Sequence, residues 1–158
     1  NQKVWAGLKL TNDQLPQTDA NQAYFYFATD ATNGQALSTY TPLYFIHSVA
    51  GTDYLTNTGI TVAASTNYHL KIKFDSDRKM EIFVNGVQYG VTQTAATTFD
   101  GSTSVTGTTQ ADIDDKTQKS VAMTDDIDLI PYIGIEAGDG AAAALDVQFE
   151  AISRLIYE

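Results

Sequence analysis

Residues 68–90 read YHLKIKFDSDRKMEIFVNGVQYG, and this stretch decides the fold. Tyr68, Leu70, Ile72 and Phe74 fall on one side of a period-two pattern, with His69, Lys71 and Lys73 on the other, which is the mark of a half-buried strand. The polar run DSDRK (75–79) turns the chain, and Met80, Ile82 and Val84 repeat the inward pattern. Asn85-Gly86 then supplies the two positive φ angles of a type I′ turn, and VQYGV (87–91) returns as a third strand. The stretch predicts an antiparallel meander with one dry and one wet face.

The flanking sequence repeats the theme. KVWAGLKL (3–10) alternates and reads as an opening strand, and the aromatic AYFYFAT (23–29) as a central strand covered on both faces. TNDQLPQTDANQ (11–22) and the segment around Asn33-Gly34 carry turn chemistry. PLYFIHSVA (42–50) is the next strand, GTDYLTNTG (51–59) reads as a loop, and ITVAA (60–64) as a short strand. LIPYIGIEA (129–137) is a strand whose Pro131 favours a strand start or a sheet edge. In LDVQFEAISRLIYE (145–158), Leu145, Val147, Phe149 and Ala151 alternate with Asp146, Gln148 and Glu150, so a closing strand is expected. Many short strands with rich turns and no long amphipathic helix predict an all-β antiparallel sandwich or barrel.

Between Thr92 and Asp128 the texture changes to Thr, Ser, Gly and Asp. So long a stretch poor in large apolar residues reads as an elaborated surface insertion, outside the sandwich. Deleting residues 100–122 is therefore expected to leave the domain folded. With 158 residues, the chain reads as one domain, 1–158, carrying this insertion. A chain of this size buries roughly 68–70% of its unfolded surface, and 43% hydrophobic and 11% aromatic residues suffice for a core.

Lys and Arg number 9 against 19 Asp and Glu, a net charge of −10. Such a surface repels phosphate backbones and anionic lipid, so neither nucleic acid nor membrane is an expected partner. The absence of cysteine removes disulfides, thiolate catalysis and Cys-ligated zinc, and leans toward a prokaryotic or viral source. A start at Asn1 rather than Met reads as a processed chain or part of a longer one.

Chemistry is sparse. The two histidines, His47 and His69, sit on strands without the company a metal site needs. Carboxylates gather at Asp75 and Asp77, at Asp112, Asp114 and Asp115, and at Asp125, Asp126 and Asp128. No pair lies on one strand with the spacing of a glycosidase nucleophile and acid. Asp75 and Asp77 could offer oxygen to calcium, but Arg78 and Lys79 beside them compete, so salt-bridged turn residues are expected. Trp5, Tyr40, Tyr54 and Tyr89 are the aromatic residues available to stack on sugar rings, though strand aromatics more often pack across strands. No catalytic, cofactor or metal site is assigned.

The stretch around residues 68–86, with Tyr68, Leu70, Ile72, Ile82, Val84, Asn85 and Gly86, resembles the concanavalin A-like or laminin G-like jelly roll. Ile133 and Gly134 of YIG, and Arg154 and Tyr157 near the end, extend the likeness across the second half of the chain. DLIPYIGIEA with its Ala-rich turn, and ISR near the end, is similar to virion structural proteins of tailed bacteriophages. The resemblance implies a non-enzymatic jelly roll on the virion surface, of capsid-decoration or head-fibre type. Its implied partners are capsid or fibre proteins of the same particle, with a homo-oligomer as one arrangement. The alternative it carries is a lectin-like module that binds carbohydrate, such as a cell-surface glycan. The family's glycosidase and calcium motifs are not matched, so no cofactor is implied.

Overall fold

The structure, a computed structural model, describes residues 2–11, 19–28, 42–96, 113, 115–137, 144–148 and 150–153. Among these it is all-β, with no helix. The strands are β1 (Gln2–Lys9), β2 (Gln22–Ala28), β3 (Pro42–Val49), β4 (Thr52–Thr61), β5 (Leu70–Phe74), β6 (Met80–Val84), β7 (Val87–Tyr89) and β8 (Ile130–Ala137). They form two antiparallel sheets, a five-stranded one in the order β4-β3-β2-β1-β8 and a three-stranded one in the order β5-β6-β7; neither closes into a barrel.

Turn chemistry sets the pairing. Asn85 and Gly86 take φ of 51° and 80°, as a type I′ turn requires, and Val84 pairs with Val87. Asn85 also ties back to β5, accepting the His69 N–H on Oδ1 and donating its own N–H to the His69 carbonyl. At DSDRK the Arg78 N–H closes a turn onto the Asp75 carbonyl, and Arg78 itself is left-handed at φ 61°. That is a type I turn followed by one left-handed residue, the common three-residue hairpin.

A second tight turn went unread in the sequence. Ala50 and Gly51, at φ 49° and 82°, join β3 to β4 with Val49 paired to Thr52. Residues 52–59 are therefore strand, not loop, and β4 runs ten residues. Its threonines fit a pleated surface as readily as a loop. A register shift opposite Pro42 and Tyr44, with Gly59 at φ 75°, absorbs an irregularity near its end.

The two sheets meet in one core. Ala23, Phe25, Leu43 and Phe45 of the larger sheet pack with Met80, Ile82, Val84, Val91 and Met123, and Leu70, Ile72 and Tyr68 lie against them. Met80, Ile82 and Val84 are buried, so the inward register expected for this strand is the one observed. Phe74 is 36% exposed and only borders the core. The opposite face of the larger sheet buries Trp5, Tyr24, Tyr26, Tyr44, Ile46 and Leu55, which makes β2 covered on both sides.

Two further expectations are corrected. The Thr/Asp-rich segment does not lie wholly outside the core. Met123 and Ile127 join the core cluster, and Ile113 and Ser120 are buried. Ser120 Oγ accepts the Met80 N–H, the Ser120 N–H donates to the Met80 carbonyl, and the Met123 N–H donates to the Arg78 carbonyl. A few well-spaced apolar residues and backbone pairing anchor what composition alone marks as polar. Residues 97–112 and 114 lie outside the described residues, as do Asn33-Gly34 and Tyr40. The second correction concerns the closing strand: residues 144–148 and 150–153 form none, while Phe149 and residues 154–158, with Arg154 and Tyr157, lie outside the described residues. Alternation makes a segment fit for a sheet, but a strand exists only where an edge pairs with it, and none of the described edges does.

Candidate functional site

The three-stranded sheet is narrower than the sheet it covers. Its core draws on β2, β3 and β4 but on nothing from β1 or β8. β8 is an edge strand of the larger sheet and β5 of the smaller. A groove of about 680 Å³ is lined by Leu8 of β1, Phe74 of β5 and, from the segment before β8, Met123, Ile127 and Leu129. Ile133, which faces the same way as Leu8 because their partners Ala6 and Pro131 alternate in register, is 37% exposed. Ile152, 67% exposed, stands at the rim. Carboxylates of Asp75, Asp125, Asp126 and Asp128 also line the groove, with Arg78 as the one cation among the lining residues.

The turn acids carry structural duties. Asp75 Oδ1 accepts the N–H groups of Asp77 and Lys79, and its Oδ2 holds Lys119 at 2.8 Å. Lys119 also reaches Glu81 at 2.7 Å, and Lys73 takes the other Glu81 oxygen at 2.9 Å. The Lys119 ammonium holds both carboxyls below the usual carboxylate range, aided by the backbone N–H bonds at Asp75 and by Lys73 at Glu81. The Asp75–Asp77 turn is thus salt-bridged, although through Lys119 rather than through Arg78 or Lys79, which adjoin it in sequence. Arg78 instead pairs with Asp125 at 3.4 Å and donates from Nε to the Met123 carbonyl. Asp115 caps its own turn, accepting from Thr117 N and Oγ1. Asp112 and Asp114 lie outside the described residues. Among the described residues no three His, Cys, Asp or Glu side chains come together as a metal site.

The opposite face of the larger sheet is aromatic with a charged end. Trp5 stacks on Tyr132 at 5.9 Å, and Lys9, fully buried, sits 4.6 Å from the Tyr132 ring and 3.8 Å from Asp19. Asp19 also accepts from the Thr11 N–H and hydroxyl. Gln22 Nε2 donates to Ser48 Oγ, which donates to Asp53, whose carboxyl burial pushes upward. Trp5 Nε1, Gln22 Oε1, Tyr24 Oη and Tyr26 Oη find no hydrogen-bond partner among the described residues. Burial raises both tyrosines well above the ordinary phenol range. None of Lys9, Gln22 or the two tyrosines stands out in the sequence; only the register of β1, β2 and β8 brings them together.

Of the aromatic residues considered for sugar stacking, the three that are described sit in packing roles, and Tyr40 lies outside the described residues. Trp5 is buried, Tyr54 stacks on His47 at 4.6 Å and 8°, and Tyr89 lies against the core. His47 is fully buried between Tyr54 and Phe45, with neither ring nitrogen hydrogen-bonded among the described residues. His69 is exposed beside the Asn85 turn.

The chain matches no protein-family model, no curated protein and no solved structure.

Proposed function

We propose that this chain is a non-enzymatic structural domain of a virus particle. On this reading it is a capsid-decoration or head-fibre protein of bacteriophage type, held on the virion surface by contacts with neighbouring subunits. The two antiparallel sheets are read as the halves of a jelly roll of the concanavalin A-like kind. The observation that carries the attachment reading is the groove lined by Leu8, Phe74, Ile127 and Ile152. Phe74 and Ile152 are exposed there, and Phe74 lies on an edge strand. Exposed apolar surface next to strand edges is what protein neighbours cover. The virion setting rests on the sequence resemblance. Quantitative mass spectrometry of virus particles purified from the chain's natural source tests it. A fixed copy number relative to the main shell or fibre protein supports the reading, and absence from particles overturns it. Turnover of any polysaccharide by the purified chain overturns the non-enzymatic part.

A lectin-like, carbohydrate-binding role is the second reading. It rests on the sequence resemblance, since Trp5, Tyr24 and Tyr26 are buried. Binding on a glycan array is the result this reading requires.

A further inference from the structure

We propose that the buried Lys9 and Asp19 side chains join as an amide, a covalent tie between β1 and the segment that leads into β2. The tie stands apart from the attachment reading, and neither needs the other. Lys9 Nζ lies 3.8 Å from Asp19 Oδ2, and the two side chains are 0% and 4% exposed. That separation is close to the roughly 3–3.5 Å from which poised groups react. Taking an ammonium and a carboxylate out of water costs free energy that an amide, with no net charge, does not incur.

Both partners are held in place. Lys9 is paired on both sides of β1, with Gln22 of β2 and Ile130 of β8, and its ammonium lies 4.6 Å from the centre of the Tyr132 ring. Asp19 is held by Thr11, whose N–H donates to Oδ2 at 2.9 Å and whose hydroxyl donates to Oδ1 at 2.7 Å. A dry, fixed amine beside a fixed carboxyl turns a slow bimolecular condensation into a local one.

The step balances without a co-reactant. The ammonium passes one proton to the carboxylate, and the lone pair of the amine attacks Asp19 Cγ. The two Thr11 donors face the oxygens on which negative charge gathers. The C–N bond forms and one C–O bond breaks. The departing hydroxyl takes a second proton from nitrogen and leaves as water. In a chain without cysteine, the bond closes the loop from residue 9 to residue 19 as a disulfide would.

Intact-mass spectrometry of the full chain, folded first and then denatured for the measurement, tests the bond. The mass should fall one water below that of the sequence, and Lys9→Met and Asp19→Ala should each abolish the difference. Lys9 should resist trypsin, and tandem fragmentation should give no backbone ions between residues 9 and 19. A folded chain at full sequence mass overturns the proposal. So does a water loss that maps to another residue or survives Lys9→Met, as a cyclised aspartate would. The wild-type mass and its map decide the matter whether or not the variants fold.

Discussion

At Gly7 the backbone of β1 runs so close to β2 that a Cβ would fall onto the Ala23 carbonyl oxygen and the Tyr24 backbone. Gly134, on the other side of β1, gives up its side chain to the Trp5 indole, which a Cβ would meet at 2.5 Å. Gly86 has open space around it and is there for its φ of 80° alone. Gly7→Ala should therefore destabilise more than Gly86→Ala. The first must move backbone, while the second costs about 1–2 kcal/mol of left-handed strain. Thermal melts of the two variants check the order. His47 makes a second prediction. Burial lowers its pKa to about 3, against an ordinary value near 6.5, so the folded chain keeps it neutral where the unfolded chain binds a proton. Its contribution is whole above about pH 6.5 and is lost at about 1.4 kcal/mol per pH unit as pH falls toward 3. Denaturant melts between pH 7 and 5 should show that slope, and His47→Phe should flatten it. An equal slope in the variant would place the titration elsewhere. Asp75 and Glu81, whose carboxyls are lowered, lose their contribution as pH falls through the ordinary carboxylate range and below it, so between pH 7 and 5 the histidine effect stands largely apart.

The hairpins were the most legible elements. Period-two alternation through Leu70, Ile72, Met80, Ile82 and Val84, with Asn85-Gly86 at the turn, specifies pairing from local chemistry alone. Ile82→Ala should cost about 2–5 kcal/mol, because the side chain is fully buried between the sheets. Lys71→Ala, on the wet face, should stay within about 0.5–1 kcal/mol, including its contact 5.2 Å from the Phe83 ring. The Ala50-Gly51 turn was illegible because alanine rarely takes positive φ and so gives no turn signal. The anchoring of residues 115–129 was illegible for another reason. It depends on contacts between distant parts of the chain, among them the Met80 N–H donating to Ser120 Oγ and the Ser120 and Met123 N–H groups donating to the Met80 and Arg78 carbonyls. Ser120→Ala leaves the buried Met80 N–H unpaired and should cost about 1–3 kcal/mol by chemical denaturation. Deleting residues 100–122, which removes Ser120 and Ile113, should now unfold or strongly weaken the domain rather than spare it.

For the whole molecule, composition was a sound guide to class and a poor one to the site. Aromatic and β-branched content, turn residues and missing helical periodicity sufficed for two antiparallel sheets. The groove could not be read, because it arises from bringing Leu8, Phe74 and Ile127 together from distant parts of the chain. The buried Lys9 next to Asp19 and Tyr132 was hidden in the same way, since a strand lysine ordinarily points to water. On the attachment reading proposed above, the apolar groove is the place for a neighbour. A cryo-EM map of intact virus particles from the chain's natural source tests that most directly. Density for the two-sheet domain should sit against a neighbouring subunit with Phe74, Ile127 and Ile152 covered. Particles whose map shows the domain with that groove open to solvent and another face in contact, or that lack the domain altogether, would contradict it.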